Sequence, residues 1–384
     1  MSKIRRQSFA DTRLAFNPPK RRIQHHSVQI AGSQSLCSNH SPVLAMRGAI
    51  GHSAVLPRLF HGTSACRQRG AVVRTIEAAL PAVGGHPDIH AFQQKALIPK
   101  KPLVFRHGAG SPTSQLSAAA KWFTQDDSGR RVLTDHVTNF NDWPFPYELV
   151  QSSPQKRDAV ISFRDWLMQS SAISDQIMAG ILQTAITEGE GRQFSQLYGP
   201  LLLLVKALEF NRLQDSKRLS TLELYIAQSL LSDLPQPLQD DLRTPELVRR
   251  AGKGDVYSSS IWLGTEPTYT PLHRDPNPNL FCQLCGSKSL RILPPAIGER
   301  LYFEVQVKIR QHGNSRIRTT EMMEGDERAA LYDAVWSNDE LVELLLETEL
   351  GPGDALFIPD GWWHSVKSTG TDGQLNGSAN WWFR

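Results

Sequence analysis

The chain has 384 residues, 40% of them hydrophobic and 21% charged. At roughly 150 residues per domain that allows two or three units, or one large β-rich domain with extensions. The longest aliphatic run, Leu201 to Val205, is far shorter than the roughly 18 residues of a membrane-spanning helix, which argues against a membrane-spanning protein. Four cysteines, Cys37, Cys66, Cys282 and Cys285, are too few and too unevenly spaced for a disulfide-stapled secreted scaffold, so a reducing compartment is expected.

The formal net charge of +4 is unevenly distributed. Residues 1–75 hold 12 Lys and Arg and one acid, Asp11; the remainder holds 30 basic and 37 acidic residues. The basic balance therefore belongs to a leader and not to a nucleic-acid-binding body. That leader has no sustained apolar period, is rich in Arg, Ser and His, and fits an organellar transit peptide. The run Arg58-Leu59-Phe60-His61-Gly62-Thr63-Ser64-Ala65 resembles a two-step processing site of mitochondrial precursors. A nuclear signal at Lys20-Arg21-Arg22 and a plain disordered tail are the rival readings, and Met46 is an alternative start.

From about Ala78 the pattern becomes that of ordered chain. Asp88 to Leu97 has helical spacing and is stopped by Pro99; Lys101 to Arg106 reads as a short strand; residues 115–123 read as a second helix. Residues 154–214 carry helical stripes, Val160, Phe163, Trp166 and Leu167 on one and Ile173, Ile177 and Ile181 on the next. The segment 76–218 is accordingly predicted to be mainly helical. From Leu219 short strands separated by turn residues take over: Leu224 to Gln228, Tyr257 to Leu263, Leu280 to Leu284, Leu290 to Leu293, Ala355 to Ile358 and Ala379 to Phe383. This predicts a sandwich or barrel over 219–384, with an insertion near 296–350 that carries an acidic helix around Asp339 to Leu346. No Gly-rich phosphate loop and no internal repeat is present.

Within the strand-rich half, His273 and Asp275 are two apart, so on an extended segment both side chains point to one side. A third ligand from another strand, with His364 in Asp360-Gly361-Trp362-Trp363-His364 the candidate, would complete a two-His, one-carboxylate face of the kind used by non-haem Fe(II) oxygenases. An HxD pair alone is a common accident, and a satisfied core or surface histidine is its ordinary explanation. Context decides. Thr270-Pro271-Leu272-His273-Arg274-Asp275, Asn279-Leu280-Phe281, Gly286-Ser287-Lys288, Leu293-Pro294-Pro295, Gly351 to Pro359, Trp362-Trp363-His364 and Asn380-Trp381-Trp382-Phe383 follow one another in order. Over about 88–384 this succession resembles the JmjC-type Fe(II)/2-oxoglutarate dioxygenases, in particular the compact cupin-like, factor-inhibiting-HIF-like hydroxylase branch.

The resemblance implies an α+β fold, a double-stranded β-helix (cupin-like jelly roll) preceded by a helical block. It implies Fe(II) held by His273, Asp275 and His364, with 2-oxoglutarate and O2 as cosubstrates and no catalytic residue beyond the metal site. It also implies that Lys288 pairs with the far carboxylate of 2-oxoglutarate, helped by the hydroxyls of Thr270 and Tyr225, and that Asn279, Asn380 and Trp382 lie near the metal and cosubstrate. Each has an ordinary alternative: an exposed strand lysine for Lys288, core packing for Tyr225, Trp262 and Trp382, structural turns for the asparagines. Cys282 and Cys285 form a CxxC that on a regular strand puts the thiols on opposite faces, without a partner motif for zinc.

The expected activity is hydroxylation of a protein side chain; a modified tRNA base, N-methyl demethylation or a small molecule are the alternatives. An acidic body argues against tRNA. A catalytically silent cupin-type binding module is the reading from another class. The oligomeric state stays open.

Overall fold

A computed structural model describes residues 74–76, 82–83, 85–108, 110–188, 193–217, 219–310, 324–338 and 344–384. The chain divides into a unit of residues 1–60 and a unit of residues 61–384, and every described residue belongs to the second. The leader expected over residues 1–75 thus falls almost wholly outside the described residues.

The second unit opens with the short strands β1 (Arg74–Thr75), β2 (Ala82–Val83) and β3 (His86–Pro87). Helix α1 (Ile89–Phe92) starts where the Asp88 carboxylate accepts the Ala91 amide and continues as a π-helical turn to Leu97, ending before Pro99. Strand β4 (Leu103–Phe105), helix α2 (Ala118–Lys121), the hairpin of β5 (Phe123–Gln125) and β6 (Arg131–Leu133), and helix α3 (Asp135–Thr138) follow. Next come β7 (Pro144–Val150), α4 (Pro154–Met168), α5 (Ile173–Glu188), β8 (Phe194–Pro200) and α6 (Leu202–Ser216). The last half runs β9 (Leu224–Leu230), α7 (Gln236–Asp241), α8 (Glu246–Ala251), β10 (Val256–Thr265), β11 (Tyr269–Arg274), β12 (Asn279–Cys285) and β13 (Lys288–Leu293). It ends with α9 (Pro295–Lys308), α10 (Gly325–Tyr332), β14 (Leu346–Leu350), β15 (Ala355–Ile358), β16 (Trp363–Ser368) and β17 (Leu375–Phe383).

Two sheets face each other as in a cupin jelly roll. The smaller has the order β1-β14-β13-β16-β11, the larger β4-β15-β12-β17-β10-β9-β7-β8. Strand β12 is buried at every position because both of its faces are covered. Leu280, Cys282 and Leu284 belong to the outward core that also takes in Phe163, Leu167 and Phe210 of α4 and α6, whereas Phe281 belongs to the inward core with Leu290, Ile292 and Val366 of the smaller sheet. The outward core is the extensive one. The inward one is small, which leaves the space between the sheets to polar groups.

Three sequence readings change. Residues 115–123 do not make one helix: a 3-10 turn at Pro112–Gln115 and the single-turn α2 precede strand β5. The expected acidic helix falls partly on residues 339–343, outside the described residues, and its end is strand β14, where Thr348 and Leu350 are buried and Glu349 is exposed. The acidic composition hid a two-residue period. The segment 76–218 also supplies strands to the larger sheet: β7 buries Phe145, Tyr147 and Leu149 in alternation, between prolines that obscure it. Among the described residues no helix is long and apolar enough to cross a membrane.

Candidate metal centre and cosubstrate pocket

Strands β11 and β16 pair with His273 opposite His364, and residues directly opposite in an antiparallel pair share a face. Thr270 lies opposite Val366, three residues from His273 against two on the partner strand, so a bulge separates the two rungs. That extra residue is what turns Thr270 to the inner face together with His273; a regular strand would aim them to opposite sides. Asp275 follows β11 directly, where its carbonyl accepts the Gly361 amide and joins the two histidine-bearing segments.

The side chains of His273, Asp275 and His364 converge: each offers a ligand atom within 4.8 Å of the others, and all three residues are buried. The imidazole centroids are 4.2 Å apart. Nδ1 of His273 lies 2.8 Å from the Pro271 carbonyl and Nδ1 of His364 3.3 Å from that of Trp362, so both rings turn Nε2 toward the cluster. Burial and the adjacent His273 push the His364 imidazole down to about 4, so it is neutral near pH 7. Its Nε2 sits 3.5 Å from Asp275 Oδ2. With the ring neutral this is two ligand atoms side by side and not an ion pair. Two imidazoles and one carboxylate form a donor set that suits Fe(II) and leaves half of an octahedral shell for other ligands.

Around this cluster the large sheet supplies amides. Asn279 on β12 donates to Asp275 Oδ2 at 2.9 Å, and Asn380 on β17 donates to Asn279 Oδ1 at 2.9 Å. The Oδ1 atom of Asn380 is buried without a partner among the described residues. Trp382 pairs opposite Asn279 and is 8% exposed; the Trp262 ring stands 6.0 Å from that of Tyr225.

Lys288 shares the inner face. On β13 it pairs with Ser368 while Ile292 pairs with His364, which puts the lysine rung four residues, roughly 13 Å, from the histidine rung. Thr270, on the Val366 rung, falls between them. The lysine is 2% exposed, and its ammonium donates to Tyr225 Oη at 3.0 Å and Ser378 Oγ at 2.9 Å. Burial lowers it to about 7, opposed by the negative charge of Glu266. A buried ammonium bonded to two neutral hydroxyls is a receptor for an anion.

Two residues near Lys288 were missed by the sequence reading. Ser378 has the inward parity of Asn380 on β17, so the alternation could have found it. Glu148 pairs with Tyr225 across β7 and β9, and burial raises its carboxyl to about 7 against the pull of the Arg328 guanidinium. It was invisible because β7 was. Cys282 and Cys285 both contribute to the outward core: a bulge after Gln283 turns Cys285 to the side of Cys282, contrary to the regular-strand expectation. Burial pushes both thiols up to about 12.

A family profile described as a cupin-like domain matches residues 90–384. The chain belongs to the cupin-like family of JmjC proteins. It is 28% identical over 191 residues to the lysine-specific demethylase JMJ30 of Arabidopsis thaliana, covering 50% of this chain and 41% of that one. It is 31% identical over 161 residues to lysine-specific demethylase 8 of Danio rerio, covering 41% and 36%, and 32% identical over 170 residues to JmjC domain-containing protein F of Dictyostelium discoideum, covering 40% and 34%. The match thus spans about two-fifths or less of these relatives' own length.

Proposed function

We propose that the protein is an Fe(II)- and 2-oxoglutarate-dependent oxygenase that hydroxylates a protein side chain. The observation that carries this reading is the pairing, on one inner face, of the His273–Asp275–His364 cluster with the buried Lys288 ammonium two inward-facing rungs beyond it. His273, Asp275 and His364 would hold the iron, which when bound supplies the O2-activating chemistry. Asn279 and Asn380 fix the rotation of the Asp275 carboxylate, and the Pro271 and Trp362 carbonyls fix the two rings. Lys288, Tyr225, Ser378 and Thr270 would take the far carboxylate of 2-oxoglutarate, and the walls formed by Trp262 and Trp382 exclude water. The overall reaction consumes 2-oxoglutarate and O2 with a substrate C–H bond and yields succinate, CO2 and the hydroxylated product.

The protein-substrate reading is supported by Glu148, a half-buried carboxylate beside Tyr225 that suits a cationic or amide-bearing side chain better than a nucleic-acid phosphate. The names of the relatives favour a second outcome of the same chemistry, hydroxylation of an N-methyl group followed by loss of formaldehyde. The test is anaerobic loading with Fe(II) and 2-oxoglutarate, admission of O2, and succinate detection against a panel of peptides and RNAs. Product mass 16 Da heavier at a peptide side chain supports hydroxylation, formaldehyde with loss of a methyl group supports demethylation, and an absence of cosubstrate binding favours the silent binding module. Mitochondrial import is proposed from the composition of residues 1–75 and is tested by fusing them to a reporter; nuclear accumulation would overturn it.

A further inference from the structure

The turn that leads into Lys288 rests on a polar network that the proposed reaction itself does not use. Glu266 is 1% exposed; its Oε2 accepts from Arg131 Nη2 at 2.7 Å and its Oε1 from Asn376 Nδ2 at 2.8 Å. Asn376, fully buried, also donates to the Ser287 carbonyl at 3.1 Å and accepts from Gln283 Nε2 at 3.1 Å. Gln283 in turn donates to the carbonyls of Cys285 at 2.8 Å and Gly286 at 3.0 Å. Three successive carbonyls, Cys285, Gly286 and Ser287, are therefore held by two buried amides, and the next residue is Lys288. Gly286 sits at φ +68°, and a Cβ there would lie 2.6 Å from Asn376 Nδ2 and 3.1 Å from Glu266 Oε1, so the turn is pressed onto the network.

Buried polar groups cost stability unless satisfied, and an apolar floor would fold with fewer demands. This network is concentrated on the one turn that delivers the lysine. It also contains the carboxylate whose charge Lys288 feels. The groups facing the ammonium are the Tyr225 hydroxyl from β9, with Glu148 of β7 behind it, Ser378 from β17, the Phe281 ring from β12 and Glu266 from below. Arg131 is the cation on the opposite side of Glu266.

We infer that Glu266, clamped by Asn376 and Arg131, is a positioning residue that supplies the fixed negative charge behind Lys288 and, through Asn376, sets the height at which the lysine meets its anion. The inference rests on Lys288 being the anchor for 2-oxoglutarate. An ammonium that must stay protonated in a dry pocket until the dicarboxylate arrives needs a countercharge that does not compete for its hydrogen bonds. Glu266 answers that need because it acts through the turn and makes no hydrogen bond to the ammonium among the described residues.

The experiment titrates 2-oxoglutarate calorimetrically into the full chain loaded with Mn(II), from pH 6 to 9, for the wild type and for Lys288→Ala, Glu266→Gln and Arg131→Gln, with thermal melting alongside. Glu266→Gln keeps the shape and removes the charge, so affinity at pH 8 should fall about tenfold and the pH at which binding is half lost should move to lower pH. Arg131→Gln leaves the Glu266 charge unopposed and should move that pH upward. Affinities and midpoints like the wild type in both variants, or an equal loss in both with no movement of the midpoint, would overturn the inference and leave the Lys288 assignment standing. Should Glu266→Gln not fold, the direction of the Arg131→Gln shift decides alone. Absence of 2-oxoglutarate binding by the wild type, or unchanged binding in Lys288→Ala, would instead remove the reading beneath it.

Discussion

Two buried charges in this molecule are handled in opposite ways. Asp241, at the end of α7, is 2% exposed and is met by four partners: Ser117 Oγ at 2.6 Å, Lys121 Nζ at 2.6 Å, Trp122 Nε1 at 3.0 Å and His136 Nε2 at 2.6 Å. Those bonds tie α2, α3 and α7 together and hold the carboxylate well below its usual range despite its burial. Lys288 is equally buried but has two neutral hydroxyls and no hydrogen-bonded counterion among the described residues. Asp275 resembles the lysine: among the described residues its carboxylate has one side-chain hydrogen-bond donor, Asn279. A saturated charge stabilises the fold; an unsaturated one waits for something to bind. Burial alone does not separate the two, and the count of partners does.

The largest expected effect is at the saturated charge. Asp241→Ala leaves a half-exposed lysine, an indole N–H and a histidine without their acceptor, and unfolding should become easier by on the order of 3 kcal/mol, read by denaturant titration. The 2-oxoglutarate affinity of the folded fraction should be unchanged; a comparable loss there would erase the distinction drawn between the two charges. Acid reads the same site, because a carboxylate depressed in the folded state contributes stability above about pH 4 that disappears as the pH falls through its folded pKa.

At the unsaturated charge the balance reverses. Lys288→Ala should raise the 2-oxoglutarate dissociation constant roughly 30-fold, about 2 kcal/mol, without lowering the melting temperature of the unliganded protein. Lys288→Arg should rescue poorly, since a planar fork does not occupy the space of a compact ammonium. A destabilised alanine variant with normal affinity would make Lys288 a structural residue like Asp241. Asn279→Ala should weaken Mn(II) binding about tenfold by freeing the Asp275 carboxylate to rotate, measured by equilibrium dialysis, with 2-oxoglutarate affinity in the loaded protein little changed.

A further effect lies in the pH dependence of the unliganded protein. Lys288 is lowered to about 7 in the fold and returns to about 10.4 when unfolded, so between those values the unfolded state binds the extra proton and stability rises with pH. The slope from this one group cannot exceed about 1.4 kcal/mol per pH unit. Lys288→Met should flatten the unfolding free energy between pH 7.5 and 9, which denaturant titrations at several pH values would reveal.

Most of the strand positions in the second half were legible because turn residues bound short apolar runs: Ala355–Ile358 is strand β15 to the residue, and Leu280 to Leu284 lies within β12. His273, Asp275 and His364 were found by their order among Gly, Pro and Trp landmarks, since a ligand set needs particular residue types that stand out in one dimension. What stayed hidden depends on pairing. The bulge that turns Thr270 inward, the one that turns Cys285 beside Cys282, and the register that sets Ser378 beneath Lys288 are properties of two strands at once. Glu148 was lost with β7, whose prolines mask the alternation, and Glu266, Asn376 and Gln283 carry no motif because each is ordinary alone. The sequence by itself determined a strand-rich second half and which residue types could take a metal, because periodicity and donor chemistry are local, while the jelly roll and the anion role of Lys288 were implied by the family resemblance. The tertiary structure decided which buried charges are satisfied and which are left open, because hydrogen bonds between residues far apart in the chain, such as Lys288–Ser378 and Trp122–Asp241, exist only once the elements have packed together.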